Sequence, residues 1–215
     1  MKIYLDSANI PKLNEYVPAF GLDGFICNPN ICVNNQADMA TLFKTLPGKT
    51  VFYQVIAEDY EGIIKDALRI REKRPDSNVK IPVTKAGLKA IKYLSDQGVP
   101  VLGTAVYTTL QALLAAQAGA KFIAPYTNRI SDSGNDGVAV ILDIVEAYNR
   151  HHLDCEVVAA SFKNLAQIND LLVGGCPAVA IPLDLFEKML DNDFTIKAVK
   201  DFSKNWQEYY KKTTI

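Results

Sequence analysis

Short runs of β-branched and aromatic residues alternate with longer amphipathic stretches from residue 2 to the end of the chain. Extended segments are predicted at 2–6 (KIYLD), 23–27 (DGFIC), 50–55 (TVFYQV), 78–83 (NVKIPV), 100–105 (PVLGTA), 121–125 (KFIAP), 155–160 (CEVVAA) and 178–182 (AVAIP). Apolar residues at helical spacing fill the gaps, at 10–20, 36–46, 58–73, 85–97, 108–118, 136–151, 164–173 and 183–190, and a ninth helix over 195–211 closes the chain. Strand starts recur about every 20 to 35 residues, which leaves room for a strand, a turn and a helix. No linker, low-complexity segment or charge block interrupts the eight βα units, so 1–215 reads as one domain.

Eight such units suggest an α/β fold of the (β/α)8 TIM-barrel kind with an additional C-terminal helix, although a doubly wound sheet also alternates. No strand opens a G-x-G-x-x-G or G-x-x-x-x-G-K-S/T loop, so the signatures of dinucleotide and P-loop sheets are missing. The parity of polar residues also favours the barrel. In NVKIPV, Val79, Ile81 and Val83 share one face and would pack on helices, which turns Asn78 and Lys80 inward. The same alternation sets Asp6 opposite Ile3 and Leu5, and Gln54 opposite Val51, Tyr53 and Val55. Asn28, Thr104, Tyr126 and Ser161 stand at or just past the ends of their strands. A polar ring at the C-terminal end is where barrel enzymes keep their chemistry.

Composition narrows the function classes. Of 215 residues 49% are apolar and 22% charged, with 23 Lys plus Arg against 24 Asp plus Glu. A net charge of −1 speaks against a nucleic-acid or anionic-membrane surface. The N-terminus MKIYLDSAN has no apolar signal core and no run is long enough for a membrane span, so a cytoplasmic location is expected. Cys27, Cys32, Cys155 and Cys176 show no C-x-x-C spacing and read as reduced structural thiols, Cys27 as a buried, inert one. The two histidines, His151 and His152, are adjacent and cannot supply a three-histidine metal site. Chemistry without metal or cofactor is expected.

Lys80 carries the sharpest chemical suggestion. Burial inside a barrel disfavours an ammonium, and a neutral amine can attack a carbonyl to form a Schiff base. The resulting iminium is an electron sink for C–C cleavage. Against this stands a plain ion pair of Lys80 with Asp6 or another carboxylate.

The segments LDSAN (5–9), CNPN (27–30), VKIPVTKAGLKAIK (79–92), LGTAVY (102–107), APYTNR (124–129), GNDG (134–137) and AASFK (159–163) tip that balance, because together they resemble the small transaldolase family. The order holds through the closing FSKNWQEYY (202–210), and within the family the likeness is greatest to the fructose-6-phosphate aldolase branch. The resemblance implies a (β/α)8 barrel with the Schiff-base lysine on strand four, at Lys80. It implies a ketose phosphate cleaved between its third and fourth carbons, with a dihydroxyacetone unit held on the lysine. Asp6, Asn28 and Ser161 match positions that bind hydroxyls and phosphate or assist proton transfer, Arg129 the phosphate-binding arginine after strand six, and Thr104 a threonine that helps position a catalytic water. Transaldolases proper carry a glutamate on strand three and usually a phenylalanine after strand six, whereas the aldolase branch carries glutamine and tyrosine. Gln54 and Tyr126 place this chain with the aldolases, so Tyr126 becomes the expected acid/base and a water held by Gln54 and Thr104 its relay. The alternative is a transaldolase that passes the dihydroxyacetone unit between sugar phosphates in the pentose phosphate pathway.

One stretch departs from the family pattern. T-T-N-P-S after strand two is replaced by Ile26-Cys27-Asn28-Pro29-Asn30, which makes the pocket more apolar on one side and leaves the donor ketone open. Several residues also have plainer readings. Asp6 could cap the first turn in competition with Ser7 and Asn9, Asn28-Pro29 could be a turn, and Thr84 reads as a helix N-cap. SDSGNDG (131–137) reads as a turn into a helix starting near Asp136, and Arg129 as a loop residue. Lys163 is a secondary phosphate candidate that competes with a solvated surface lysine, and His151-His152 reads as surface.

The last helix carries Phe194, Ile196, Val199, Phe202, Trp206, Tyr209 and Tyr210, more aromatic surface than a barrel's outer ring needs. Packing on its own barrel would absorb it. The resemblance implies instead a homo-oligomer, a pentamer or a decamer of two pentamers, in which this helix reaches a neighbour. At 215 residues the chain is short for such a barrel, so the chemistry is expected on strand ends and short loops.

Overall fold

The structure, a computed structural model, describes residues 1–215. All eight predicted strands form: β1 (Lys2–Asp6), β2 (Gly24–Ile26), β3 (Thr50–Gln54), β4 (Asn78–Pro82), β5 (Val101–Val106), β6 (Phe122–Pro125), β7 (Glu156–Ala159) and β8 (Ala178–Pro182). Each pairs in parallel with the next, and β8 returns to β1 to close an eight-stranded barrel. The helices are α1 (Ile10–Ala19), α2 (Pro29–Asn34), α3 (Met39–Leu42), α4 (Tyr60–Lys73), α5 (Lys85–Asp96), α6 (Thr109–Gln117), α7 (Thr127–Asp132), α8 (Gly137–Arg150), α9 (Leu165–Val173), α10 (Leu183–Leu190) and α11 (Asp193–Tyr210). This is the (β/α)8 architecture with an added C-terminal helix.

Two local predictions are corrected. The helix expected over 36–46 is shorter, α3 alone, and a further helix, α2, precedes it where none was predicted. Asn28 caps α2, its Oδ1 accepting from the Ile31 amide at 3.0 Å, and Pro29 starts the helix where its missing N–H costs nothing. Gln36, at φ 48°, then turns the chain left-handed, and Asp38 caps α3 through the amides of Ala40 and Thr41. The second correction concerns Arg129, which belongs to a helix, α7, and not to a loop. Other expected caps are present: Thr84 Oγ1 accepts from Gly87 N at 3.0 Å, and Asp136 Oδ1 accepts from Val138 N at 3.0 Å. His151 and His152 are exposed at the end of α8.

The alternation of side chains behaves as the parity argument requires. Val79 and Ile81 are buried away from the barrel axis, while Tyr4, Ile26, Phe52, Leu102, Ala124 and Val158 form the interior cluster. The Phe52 ring meets Tyr4 and Phe122 edge-on, each at 5.2 Å between centroids, and these three aromatics make a floor across the barrel. Asn78 lies at that level, donating from Nδ2 to the Val51 carbonyl at 3.2 Å. Two residues further along these strands, the inward positions turn polar: Asp6 beyond Tyr4, Gln54 beyond Phe52, Lys80 beyond Asn78 and Thr104 beyond Leu102.

The end of β4 is seated by α5. A Cβ on Gly87 would stand 1.9 Å from the Pro82 carbonyl oxygen, so only glycine lets the helix approach the strand that carries Lys80 so closely. In β5 the register shifts between Thr104 and Val106, with Ala105 at φ 57° as the extra residue.

Met1–Pro182 and Leu183–Ile215 are separately compact units. In the second, α11 is capped by Asn192, whose Oδ1 accepts from Thr195 N at 3.1 Å, and ends at Lys211 with φ 56°. Trp206 stacks on Tyr210 at 4.2 Å, and no residue of α11 is buried, Phe194 being 85% and Phe202 70% exposed. No helix is long and apolar enough to cross a membrane.

Candidate active site

The polar ring opens into a cavity of about 400 Å³ at the C-terminal end of the barrel. Its walls include Asp6 from β1, Asn28 after β2, Lys80 from β4, Tyr126 after β6, Arg129 from α7 and Ser161 after β7. Six of the nine residues selected from the sequence therefore meet in one place. Asn30, Ile31 and Asn34 of α2 complete the rim. Asn30 belongs to the stretch that departs from the family pattern; Ile31 and Asn34 were not foreseen, because the α2 segment was not read as a helix.

Lys80 is 3% exposed, and its strand neighbours in register are Gln54 on β3 and Leu102 on β5. Asp6 leaves part of its surface open to the cavity, but its Oδ1 is sealed from solvent and has no hydrogen-bond partner. It is not a cap; that role belongs to Asn9, whose Oδ1 accepts from Lys12 N at 3.1 Å. Burial lifts the Asp6 carboxyl to about 6, against the pull of the Lys80 ammonium and then of Arg129. The carboxylate and the lysine thus feel each other across the cavity.

Gln54 and Thr104 flank Lys80 on the neighbouring strands rather than lining that cavity. Gln54 Oε1 is buried without a partner, and Thr104 is wholly buried with its Oγ1 3.1 Å from the Tyr126 hydroxyl. Unpaired buried oxygens such as those of Asp6 and Gln54 cost stability unless water or a ligand meets them. The Tyr126 ring is pinned edge-on by Tyr107 at 5.6 Å, and the Arg129 guanidinium lies 4.8 Å from its centroid. Tyr107 is a positioning residue that the sequence showed only as the last letter of LGTAVY.

The loops after β6 and β7 are tied together beneath the site. Tyr126 bridges to Ala160, Thr127 N donates to the Ala160 carbonyl at 2.8 Å, and Asn128 N to the Ser161 carbonyl at 2.8 Å. Ser161 itself has φ 61°, a left-handed conformation that a serine adopts at some cost. Asn28 serves two ends at once: its Oδ1 is spent on the α2 cap, leaving the amide NH₂ to face a ligand. Lys163 is exposed and lies outside the cavity, with its backbone N–H held by Gln167 Oε1 at 2.8 Å.

A second cavity of about 470 Å³ lies on the far side of Asn28 and Gln54, lined by Cys27, Cys32, Met39, Phe43 and Tyr53 among others. It is larger and more apolar, but Lys80 and Asp6 do not reach it.

A sequence model of the transaldolase/fructose-6-phosphate aldolase family matches residues 3–214. The chain belongs to this family. It is therefore an enzyme of the transaldolase/aldolase type, a family whose chemistry is that of Schiff-base class I aldolases and whose substrates are sugar phosphates. Solved structures add the fold alone. A mandelate oxidase is 13% identical with a TM-score of 0.61, over 84% of this chain and 64% of that one. The thiamine phosphate pyrophosphorylase of Pyrococcus furiosus is 16% identical with a TM-score of 0.62, over 84% of this chain and 85% of that one.

For this transaldolase-family barrel the raised Asp6 carboxyl has a measurable consequence. The folded protein keeps the Asp6 proton up to about pH 6, while the unfolded chain releases it near pH 4. Between those values the folded state binds more protons, so this group's contribution to stability falls as pH rises and is at its worst above pH 6. Asp6→Asn should therefore stabilise the fold at pH 7.5, by on the order of 2 kcal/mol, with the gain vanishing towards pH 4. Urea unfolding at the two pH values checks this; a variant less stable than the parent at pH 7.5 would show Asp6 to be a structural ion-pair partner.

Proposed function

We propose that the protein is a Schiff-base aldolase that cleaves or forms the C3–C4 bond of fructose 6-phosphate, interconverting it with dihydroxyacetone and glyceraldehyde 3-phosphate. The observation that carries this reading is the pairing of a buried Lys80 with a Tyr126 hydroxyl held by Thr104 at 3.1 Å, where the neighbouring strand offers Gln54 and no carboxylate.

In this reading the Lys80 amine attacks the ketone carbon, and loss of water leaves an iminium. Tyr126 takes the C4 hydroxyl proton through a water that Gln54 Oε1 and Thr104 hold. The C3–C4 bond breaks, its electrons pass to the iminium, and the aldehyde leaves. Tyr126 returns the proton to C3 of the enamine, and hydrolysis frees dihydroxyacetone and Lys80. Asp6 and the Asn28 amide orient the donor hydroxyls, and Arg129 with Ser161 receives the phosphate. Lys163, outside the cavity, has no part.

A transaldolase would carry the same lysine adduct but hand it to an aldehyde acceptor. Asp6 is the specific support for that second reading, since a carboxyl near 6 can also move protons at neutral pH. We further infer a homo-oligomer, pentameric or decameric, in which the unburied aromatic face of α11 meets another copy; a monomeric mass by sedimentation would end that inference.

The function is tested with fructose 6-phosphate alone. Release of free dihydroxyacetone is expected, with borohydride reduction leaving a dihydroxyacetone adduct on Lys80 by mass spectrometry. Tyr126→Phe should slow cleavage about 100-fold or more. Adduct formation with transfer only after erythrose 4-phosphate is added would favour the transaldolase, and sugar-phosphate binding with an unmodified Lys80 would remove both.

A further inference from the structure

Cys27 and Cys32 lie either side of Asn28 in a geometry set by the helix they begin. With Asn28 as N-cap and Pro29 as the first helical residue, Cys27 is the residue before the cap and Cys32 the fourth of the helix. Those two positions are the ones whose side chains fold onto each other at a helix start, where apolar residues commonly staple the entry of the chain. Here the staple is made of two thiols. Cys27 Sγ donates to the Phe52 carbonyl oxygen at 3.7 Å, and the two cysteines are near enough for each to move the other's titration.

The pair is asymmetric. Cys27 is buried, while Cys32 is half-buried, and both line the cavity of about 470 Å³ beside Gln54. The neighbouring Cys32 thiol, and then burial, hold the Cys27 thiol well above its ordinary range; the same interaction draws Cys32 below it, with burial opposing and the Lys80 ammonium helping. A more exposed sulfur inclined to thiolate stands against a buried one that keeps its proton. That is the division of labour between an attacking and a resolving cysteine. The other two cysteines, Cys155 and Cys176, are buried, and burial pushes both thiols up.

We propose that Cys27 and Cys32 form a redox-sensitive dithiol that closes to a disulfide with hydrogen peroxide and thereby shuts the Lys80 site. The Cys32 thiolate attacks one peroxide oxygen, the O–O bond breaks, and hydroxide leaves and is protonated to water, giving a sulfenic acid. Cys27 sulfur then attacks that sulfur, its proton going out with the displaced hydroxyl as a second water. Two thiols are oxidised to one disulfide and one peroxide is reduced to two waters. The sulfurs must close to about 2.05 Å, and the residue between them in the chain that the tightened staple would pull on is Asn28, which both caps α2 and lines the Lys80 cavity. Reduction by a dithiol reverses the step. The dithiol chemistry stands on its own; only its effect on Lys80 rests on the function proposed above.

Peroxide treatment of the native protein, alkylation and tryptic digestion test it. Both cysteines fall in the peptide 13–44, between Lys12 and Lys44. The expected product is that peptide lighter by two hydrogens and unalkylated, with Cys155 and Cys176 still alkylatable and dithiothreitol restoring all four thiols. Cys27→Ser should stop at a dimedone-reactive Cys32, and Cys32→Ser should give neither product. Trapping of dihydroxyacetone on Lys80 should slow about tenfold in the oxidised protein, the loss expected from misplacing one hydrogen-bonding contact. Two alkylatable thiols in peptide 13–44 after oxidation of Cys155 or Cys176 would overturn the proposal, as would a disulfide that leaves Lys80 trapping unchanged. Absence of the Lys80 adduct in the reduced protein would instead count against the aldolase reading, and the peptide mass would still decide the dithiol.

Discussion

Desolvation at the mouth of the barrel governs the rest of this structure. Lys80, Asp6, Gln54 and Thr104 are inward residues one step beyond an aromatic and aliphatic layer, and the buried oxygens of Asp6 and Gln54 lack partners. Leaving them so costs free energy, and a fold that tolerates the cost must recover it elsewhere. The Tyr4–Phe52–Phe122 floor beneath and the sealed outer faces of the strands supply that recovery. The same dryness raises the Asp6 carboxyl and strengthens the electrostatic interactions of any group bound in the cavity.

Precision in the site comes from short-range devices close to each reacting group. Gly87 lets α5 press against the end of β4, Thr104 beside the β5 bulge meets the Tyr126 hydroxyl, and Tyr107 and Arg129 pack on the phenol ring. Asn28 and Ser161 carry a structural duty alongside the one proposed for catalysis, as a cap and as a left-handed corner whose carbonyl holds α7. Such shared duty is the route by which the proposed Cys27–Cys32 oxidation, at residues flanking Asn28 in the chain, reaches a lysine on another strand.

Much of this was legible in the chain. Strand alternation has a period of two, so Asn78 and Lys80 against Val79 and Ile81 placed the lysine inward without any knowledge of the fold. Family motifs then assembled Asp6, Asn28, Tyr126, Arg129 and Ser161, and the structure brings them to one cavity. The residues around 29–46 were misread because apolar spacing alone did not show two caps, Asn28 and Asp38, or the left-handed Gln36 between them. Tyr107 was missed because ring contacts between consecutive strand ends leave no periodic trace. Lys163, for which AASFK left a secondary phosphate role and a solvated surface lysine both open, is exposed in the turn before α9.

The central claim is that the unpaired oxygens of Asp6 and Gln54 mark where substrate and water belong around Lys80. A crystal structure of the protein reduced with borohydride in the presence of dihydroxyacetone tests it most directly. The account predicts a carbon chain bonded to Lys80 Nζ, a donor hydroxyl on Asp6 Oδ1, and a water joining Gln54 Oε1 to the Tyr126 phenol. An adduct that turns away and leaves both oxygens unpaired, or that sits on a different lysine, would contradict it.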